Sequence, residues 1–416
     1  MIDTKPTLPA YFAVTGAYFA FMLTDGALRM LVLLHFHSLG FSAVQLAYLF
    51  LLYEFAGVVT NLSAGWIAAR YGLGSTLKAG LFLQILALIG FTQLDAGWGL
   101  WLSVVYAMGV QGLSGIAKDL TKMSAKSAVK VLVPDEESTL FKWVAAVTGA
   151  KNSIKGLGFF VGAMLLAFVG FQASLLGMAA LLAIVLLAIV LRMPKGLPRG
   201  LKGAKFKEVL STSPQVNWLS CARVFLFGAR DVWFVVGIPV YFLSVLSDGS
   251  EAGNKAAFFT IGGFMAVWTI LYGVVQIRAP KILNAQSKSS ATLVSNAGQW
   301  VASLIAIPAI LALAVHVVPQ ESVGLTVALI LGLLVFGAIF AVNSSLHSFL
   351  ILTFTSGQRV TMDVGFYYMA NAAGRLIGTL LSGISYQIGG LPLCLMTASA
   401  MLTLSWLSTR KLTARA

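Results

Sequence analysis

The chain has 416 residues, 58% of them hydrophobic and only 10% charged, against about 45–50% and about 25% in an ordinary soluble domain. That balance excludes a water-soluble globular protein, and Cys221 and Cys394 are too few and too far apart for a disulfide framework or a metal-ligand spacing. The formal net charge of +14 would suit a nucleic-acid binder, but the basic residues fall in short connections between long apolar runs, so no nucleic-acid partner is expected.

In chain order the apolar runs predict helices over 10–38, 42–69, 75–94, 97–118, 139–169, 171–192, 217–246, 255–278, 290–315, 322–352, 362–388 and 391–408. Each is near or above the roughly 20 residues that cross a bilayer. The fold class expected is an all-α membrane protein of twelve transmembrane helices in two six-helix halves. The opening MIDTKPTLPA has no basic n-region and no small-residue cleavage site, so the first helix is expected to insert directly.

Lys and Arg alternate between connections. The even ones hold Arg70 and Lys78, then Lys126 and Lys130, Arg192 to Lys207, Arg278 with Lys281 and Lys288, and Arg359; of the odd ones only Lys255 stands plainly in one, beside Asp248 and Glu251. The positive-inside rule then places both termini and the long middle loop in the cytoplasm, and the tail Arg410, Lys411 and Arg415 agrees; the location expected is a bacterial inner membrane.

The one long polar connection divides the chain into an N-terminal half over 1–192, a cytoplasmic linker over 193–216 and a C-terminal half over 217–416. A weak internal repeat accompanies the division. Gly65 and Arg70 match Gly273 and Arg278, and Lys155, Gly158 and Gly170 match Arg375, Gly378 and Gly390 at a constant offset. Six plus six with a central linker resembles the major facilitator superfamily, whose halves rock about a midplane site. Its loop motif survives only as Gly65, Arg70 and Gly72 in GWIAARYGLG, with Ala69, Leu73 and Gly74 in the acidic and later basic places. The fourth helix keeps Gln111 and Gly112 of a second motif but has Met108 where proton-antiport drug exporters carry arginine, which weakens that reading. Gly149, Gly156, Gly158 and Gly162 on the fifth helix would admit close helix contact.

An ionised side chain at the bilayer centre costs about 2.5–3.5 kcal/mol on insertion scales, so such residues are kept for pairing or for function. LTDGALRM in the first helix places Asp25 and Arg29 four apart on one face, either as a mutual ion pair or as part of a site. In the seventh, Arg223 and Arg230 lie seven apart on one face, with Asp231 beside the second. Helices one and seven are equivalent in the two halves, so Arg29 and Arg230 are expected to face one another across a central cavity. Lys118, Lys122, Lys126 and Lys130 form a stripe at four-residue spacing, whose last two members are expected in cytoplasm. Lys151 and Lys155 lie one turn apart in the fifth helix, and Arg375 takes the equivalent place in the eleventh. Guanidinium forks match phosphate and arsenate oxygens bidentately, whereas a neutral ligand would leave them unneutralised, so an anionic small-molecule substrate is expected. The substrate-binding candidates are therefore Arg29, Arg230, Lys155, Arg375, Lys151, Lys118, Lys122 and Arg223. Asp25, Glu54 and Asp231 are candidates for coupling or ion pairing, and His35 and His37 read as interfacial at the end of the first helix.

The stretches LTDGALRM, LVLLHFHSLG, SGIAKDLTKMSAKSAVK and FLFGARDVWFVVGIPVY resemble the ArsJ-type organoarsenical efflux permeases of the major facilitator superfamily, and the likeness spans nearly the whole chain. What the resemblance implies is export of 1-arseno-3-phosphoglycerate by alternating access, which confers arsenate resistance. The functional partner it implies is a glyceraldehyde-3-phosphate dehydrogenase that forms the ester from arsenate. It carries no binding residues over. A monomer is expected, with no cofactor, metal or catalytic residue, since no H-E-x-x-H and no phosphate-cradling glycine loop before a lysine occurs. The alternatives are a major facilitator exporter of another organic phosphate or carboxylate and, from a different class, an intramembrane enzyme or sensor. Two isolated cysteines disfavour an arsenite pump.

Overall fold

The computed structural model describes residues 8–71, 73–95, 97–132, 137–192, 210–284, 289–320, 322–355 and 360–412. Most of the expected linker, 193–209, lies outside them, as do Gly72, Lys288, Arg359 and Arg415. So do the surroundings of Gly65 and the side chains of Arg70, Lys126, Lys130 and Arg192.

Among the described residues the regular structure is helical throughout. The helices are α1 (Leu8–Ser38), α2 (Ala43–Tyr71), α3 (Leu73–Phe91), α4 (Leu100–Leu132), α5 (Glu137–Phe168), α6 (Phe171–Arg192), α7 (Pro214–Leu246), α8 (Glu251–Leu283), α9 (Ser290–Val317), α10 (Val323–Phe354), α11 (360–388) and α12 (391–409). Ten described stretches are long and apolar enough to cross a membrane on their own. The last of these breaks at Gly389 and Gly390, whose non-helical torsions separate α11 from α12, and α5 completes the twelve.

Glycine decides two of the joints. Gly170 between α5 and α6 has φ +87° and Gly390 between α11 and α12 has φ +61°, left-handed conformations that cost a side-chain-bearing residue about 1–2 kcal/mol. These are the two glycines that the repeat sets in register. The next matched pair also acts alike. A Cβ on Gly158 would meet the backbone of Leu23 and Ala27 on α1, and one on Gly378 would lie 2.5 Å from the Gly228 carbonyl on α7.

Glycine contacts also seat the first six helices against the last six. On one side, a Cβ at Gly149 would lie 2.7 Å from the Gly273 carbonyl and one at Gly156 2.9 Å from the Ala266 carbonyl, so α5 and α8 meet nearly backbone to backbone. On the other side, Gly383 of α11 packs on Ala43, Val44 and Ala47 of α2. Between these two seams lies the cavity.

α7 is continuous but not uniform. Trp233–Gly237 forms a wider π-helical turn, and Pro239, two residues on, lacks the N–H and crowds the carbonyl four residues earlier. The amides of Val236 and Gly237 donate instead to Ser382 Oγ of α11, at 3.1 and 3.2 Å. Such turns are common at functional sites, and here the widened backbone brings Phe234 and Val235 into the cavity wall alongside Arg230 and Asp231.

Candidate functional site

The cavity has a volume of about 190 Å³ and takes its walls from both sets of six helices. All eight basic residues expected at the site line it: Arg29 from α1, Lys118 and Lys122 from α4, Lys151 and Lys155 from α5, Arg223 and Arg230 from α7, and Arg375 from α11. Asp119 and Asp231 lie in the wall with them, and Asp25 and Glu54 stand behind it in contact with its bases. Among the described residues, the seven of these cations other than Lys151 meet four carboxylates, an excess of three positive charges.

The pairing differs from the simplest sequence expectation. Asp25 and Arg29 do not bond to one another. Asp25 Oδ2 accepts from Lys155 Nζ at 2.5 Å and its Oδ1 from the Tyr53 hydroxyl at 2.5 Å, while Arg29 Nη1 donates to Glu54 Oε1 at 3.0 Å. The reason is reach across the bundle. The glycines of α5 bring Lys155 onto α1, and α2 presents Tyr53 and Glu54 in succession, one toward each charge of α1.

Arg29 and Arg230 line the same cavity and are joined by a chain of charge. Glu54 Oε1 also accepts from Arg375 Nη2 at 2.5 Å. Arg375 Nε lies 3.4 Å from Asp231 Oδ2, and Asp231 Oδ1 accepts from Arg230 Nη2 at 2.5 Å. The sequence Arg29, Glu54, Arg375, Asp231, Arg230 therefore crosses from α1 and α2 to α11 and α7.

A second acidic centre belongs to α4. Asp119 holds Lys122 Nζ at 2.9 Å and accepts from Thr60 Oγ1 at 2.7 Å, and Lys122 also donates to Asn61 Oδ1 at 2.7 Å. Asp119 is an intramembrane carboxylate that the sequence reasoning misses, because the lysine stripe around it directs attention to the bases alone. Tyr53, Asn61 and Asn371 are neutral and carry no such signal.

Lys118 and Arg223 have no carboxylate at ion-pair distance among the described residues. Lys118 places its ammonium over the Tyr53 ring, 3.9 Å from the centroid, with Asp119, Glu54 and Asp25 acting on it from further away. Arg223 is held by neutral groups throughout. Its Nε donates to Asn371 Oδ1 at 3.0 Å and its Nη1 to the Ser344 carbonyl at 2.9 Å, and its guanidinium lies 4.0 Å from the centre of the Phe227 ring and 5.0 Å from that of Tyr367. Arg230 likewise stands near Phe227, Phe234 and Phe340. An aromatic face attracts a desolvated guanidinium by about 2 kcal/mol without neutralising it. His35 packs against Phe171 at the end of α1, away from the cavity, and no cluster of metal-ligating side chains occurs among the described residues.

Solved structures supply the comparison. A POT family transporter crystallised with 5-aminolevulinic acid superposes with a TM-score of 0.71 at 12% identity, over 97% of this chain and 96% of that one. The nucleoside transporter NupG gives 0.69 at 16% identity over 98% and 99%. A POT family transporter in complex with a thioalcohol-conjugated peptide gives 0.69 at 13%, over 96% and 95%. No family model and no curated protein matches the sequence. At these identities the likeness establishes the fold, and this chain is a multi-pass membrane protein with the major facilitator fold of such transporters.

Proposed function

We propose that this protein exports an organic oxyanion by alternating access, and that the anion is 1-arseno-3-phosphoglycerate, so that its action confers arsenate resistance. The observation that carries the anionic part is the cavity's surplus of positive charge, with Arg223 held by neutral groups among the described residues. An empty site of this kind is costly, and an anion bearing two or more charges offsets it. A neutral ligand would not. The ester named has a phosphate at one end and an arsenate at the other, and the cavity offers bases from both sets of helices to meet them. Pentavalent arsenic bound through oxygen needs no thiol, in keeping with the separation of Cys221 and Cys394.

The two six-helix units, 1–192 and 217–416 joined by the linker 193–216, rock about the α2–α11 and α5–α8 seams. In this reading the chain lies in a bacterial inner membrane with both termini cytoplasmic, as the loop charges suggest. Outward movement of an anion is favoured by the inside-negative potential, by about 2.3 kcal/mol per charge per 100 mV. A glyceraldehyde-3-phosphate dehydrogenase in the same cell supplies the ester, and the transporter performs no chemistry on it.

The direct test is uptake into everted vesicles in which the dehydrogenase generates the ester from arsenate in the medium. Vesicles that contain the protein should accumulate arsenic only when enzyme and arsenate are both present. Cells should gain resistance to arsenate and none to arsenite. Accumulation of arsenate without the dehydrogenase, or resistance to arsenite, would refute the substrate assignment.

A further inference from the structure

Glu54 holds two guanidiniums with half of its carboxylate. Its Oε1 accepts from Arg29 Nη1 and from Arg375 Nη2, while its Oε2 accepts from no described side chain. Arg29 Nη2 and Arg375 Nε are likewise without a hydrogen bond of good geometry among the described residues. The carboxylate is buried behind the wall, with a side chain only 1% exposed, and the two guanidiniums in front of it line the cavity. A ligand in the cavity therefore approaches from the front the same two forks that Glu54 holds from behind.

We propose that Glu54 is a resident counter-anion that selects substrates by charge, admitting phosphate- or arsenate-bearing dianions and excluding simple monocarboxylates. The proposal rests on the anion-transport reading and deepens it. A monocarboxylate arriving at Arg29 and Arg375 offers what Glu54 already gives, one charge and one planar pair of oxygens, and gains nothing by competing. A phosphate or arsenate group brings up to two charges and three terminal oxygens, enough to engage both guanidiniums at once on the sides that Glu54 does not hold. Asp231 reinforces the threshold from the other side, because it shares Arg375 and holds Arg230. Arg223, with no carboxylate of its own, stays available to the ligand's second acidic end.

The test uses the purified full-length protein and two probes of one carbon skeleton, 3-phosphoglycerate and glycerate, with affinities read from ligand-dependent thermal shifts. The wild type should favour 3-phosphoglycerate at least about tenfold, which is about 1.4 kcal/mol. In Glu54→Gln, glycerate should gain about tenfold and the preference collapse, while Glu54→Asp keeps the wild-type preference. Arg375→Gln reads the same filter without touching the carboxylate: 3-phosphoglycerate should weaken about tenfold and glycerate stay unchanged. A folded Glu54→Gln protein with the wild-type preference overturns the proposal, and so does an equal loss for both probes in Arg375→Gln. A wild-type protein that binds neither probe overturns the anion-transport reading itself, and the filter with it.

Discussion

The first six helices and the last six stabilise buried cations in different ways. In the first six, Lys155 rests on Asp25, Arg29 on Glu54 and Lys122 on Asp119, and the core around them is largely aliphatic, built from residues such as Leu28, Leu31, Leu46 and Leu81. In the last six, among the described residues, Asp231 is the carboxylate in the cavity wall. Arg223 lies against Phe227 and Tyr367, and the core behind it is a stack of rings that includes Trp233, Trp268, Phe336 and Phe340. A carboxylate cancels a charge, whereas a ring and an amide oxygen only support it. The charge left uncancelled on the α7 side is that of Arg223, and the charge pairs of α1, α2 and α4 also hold the bundle together.

Breaking a pair in the first six helices should have the largest effect, and it should be on stability. Asp25→Leu strands the Lys155 ammonium and leaves the Tyr53 hydroxyl without its acceptor. Removing one partner of a buried pair costs about 3–5 kcal/mol. The detergent-solubilised variant should melt well below the wild type by scanning fluorimetry. Asp25→Leu with Lys155→Met should recover most of that loss, since two apolar side chains replace two charges. A double variant as unstable as the single would mean that the pair does more than offset its own burial.

Arg223→Gln should give the opposite profile. It removes no salt bridge among the described residues, and glutamine can still meet Asn371, so the melting temperature should stay near that of the wild type. Uptake of the ester into everted vesicles should fall about 10- to 100-fold, the loss of a charge-assisted hydrogen bond worth about 1.5–3 kcal/mol. Arg223→Lys should restore little, because an ammonium lacks the flat face that the Phe227 and Tyr367 rings support. Normal uptake by Arg223→Gln would break the contrast between the two sets of helices.

Much of this layout is legible in the sequence, for identifiable reasons. Helix number and most limits follow from apolar runs, because lipid leaves backbone amides no partner outside the helix. α4 departs, since the apolar run predicts an end at 118 and the helix continues through the lysine stripe to Leu132. The eight bases are legible because charge is conspicuous against 58% hydrophobic residues, and seven- or four-residue spacing puts Arg223 with Arg230 and Lys118 with Lys122 on shared faces. The pairing is not legible. Spacing favours Asp25 with Arg29, but contacts between helices decide the matter, and these depend on where Gly26 and Gly158 let α1 and α5 touch. The π-helical turn of α7 is equally hidden, since Pro239 alone predicts a kink and the partner that satisfies the freed amides, Ser382, is more than 140 residues away.

The smallest effect should come from the Glu251–Lys255 pair at the start of α8. At 2.7 Å it is as short as the buried pairs, yet its side chains are 85% and 41% exposed. Water already solvates both groups before they meet, so bringing them together replaces hydration that was almost as good, and breaking them apart strands nothing. Lys255→Met should therefore leave both the melting temperature and ester uptake at wild-type values, at low salt as at high. Distance alone would rank this pair beside Asp25 and Lys155. If Lys255→Met destabilised the protein as Asp25→Leu does, burial could not be what separates the ion pairs that hold this bundle from those that merely decorate it.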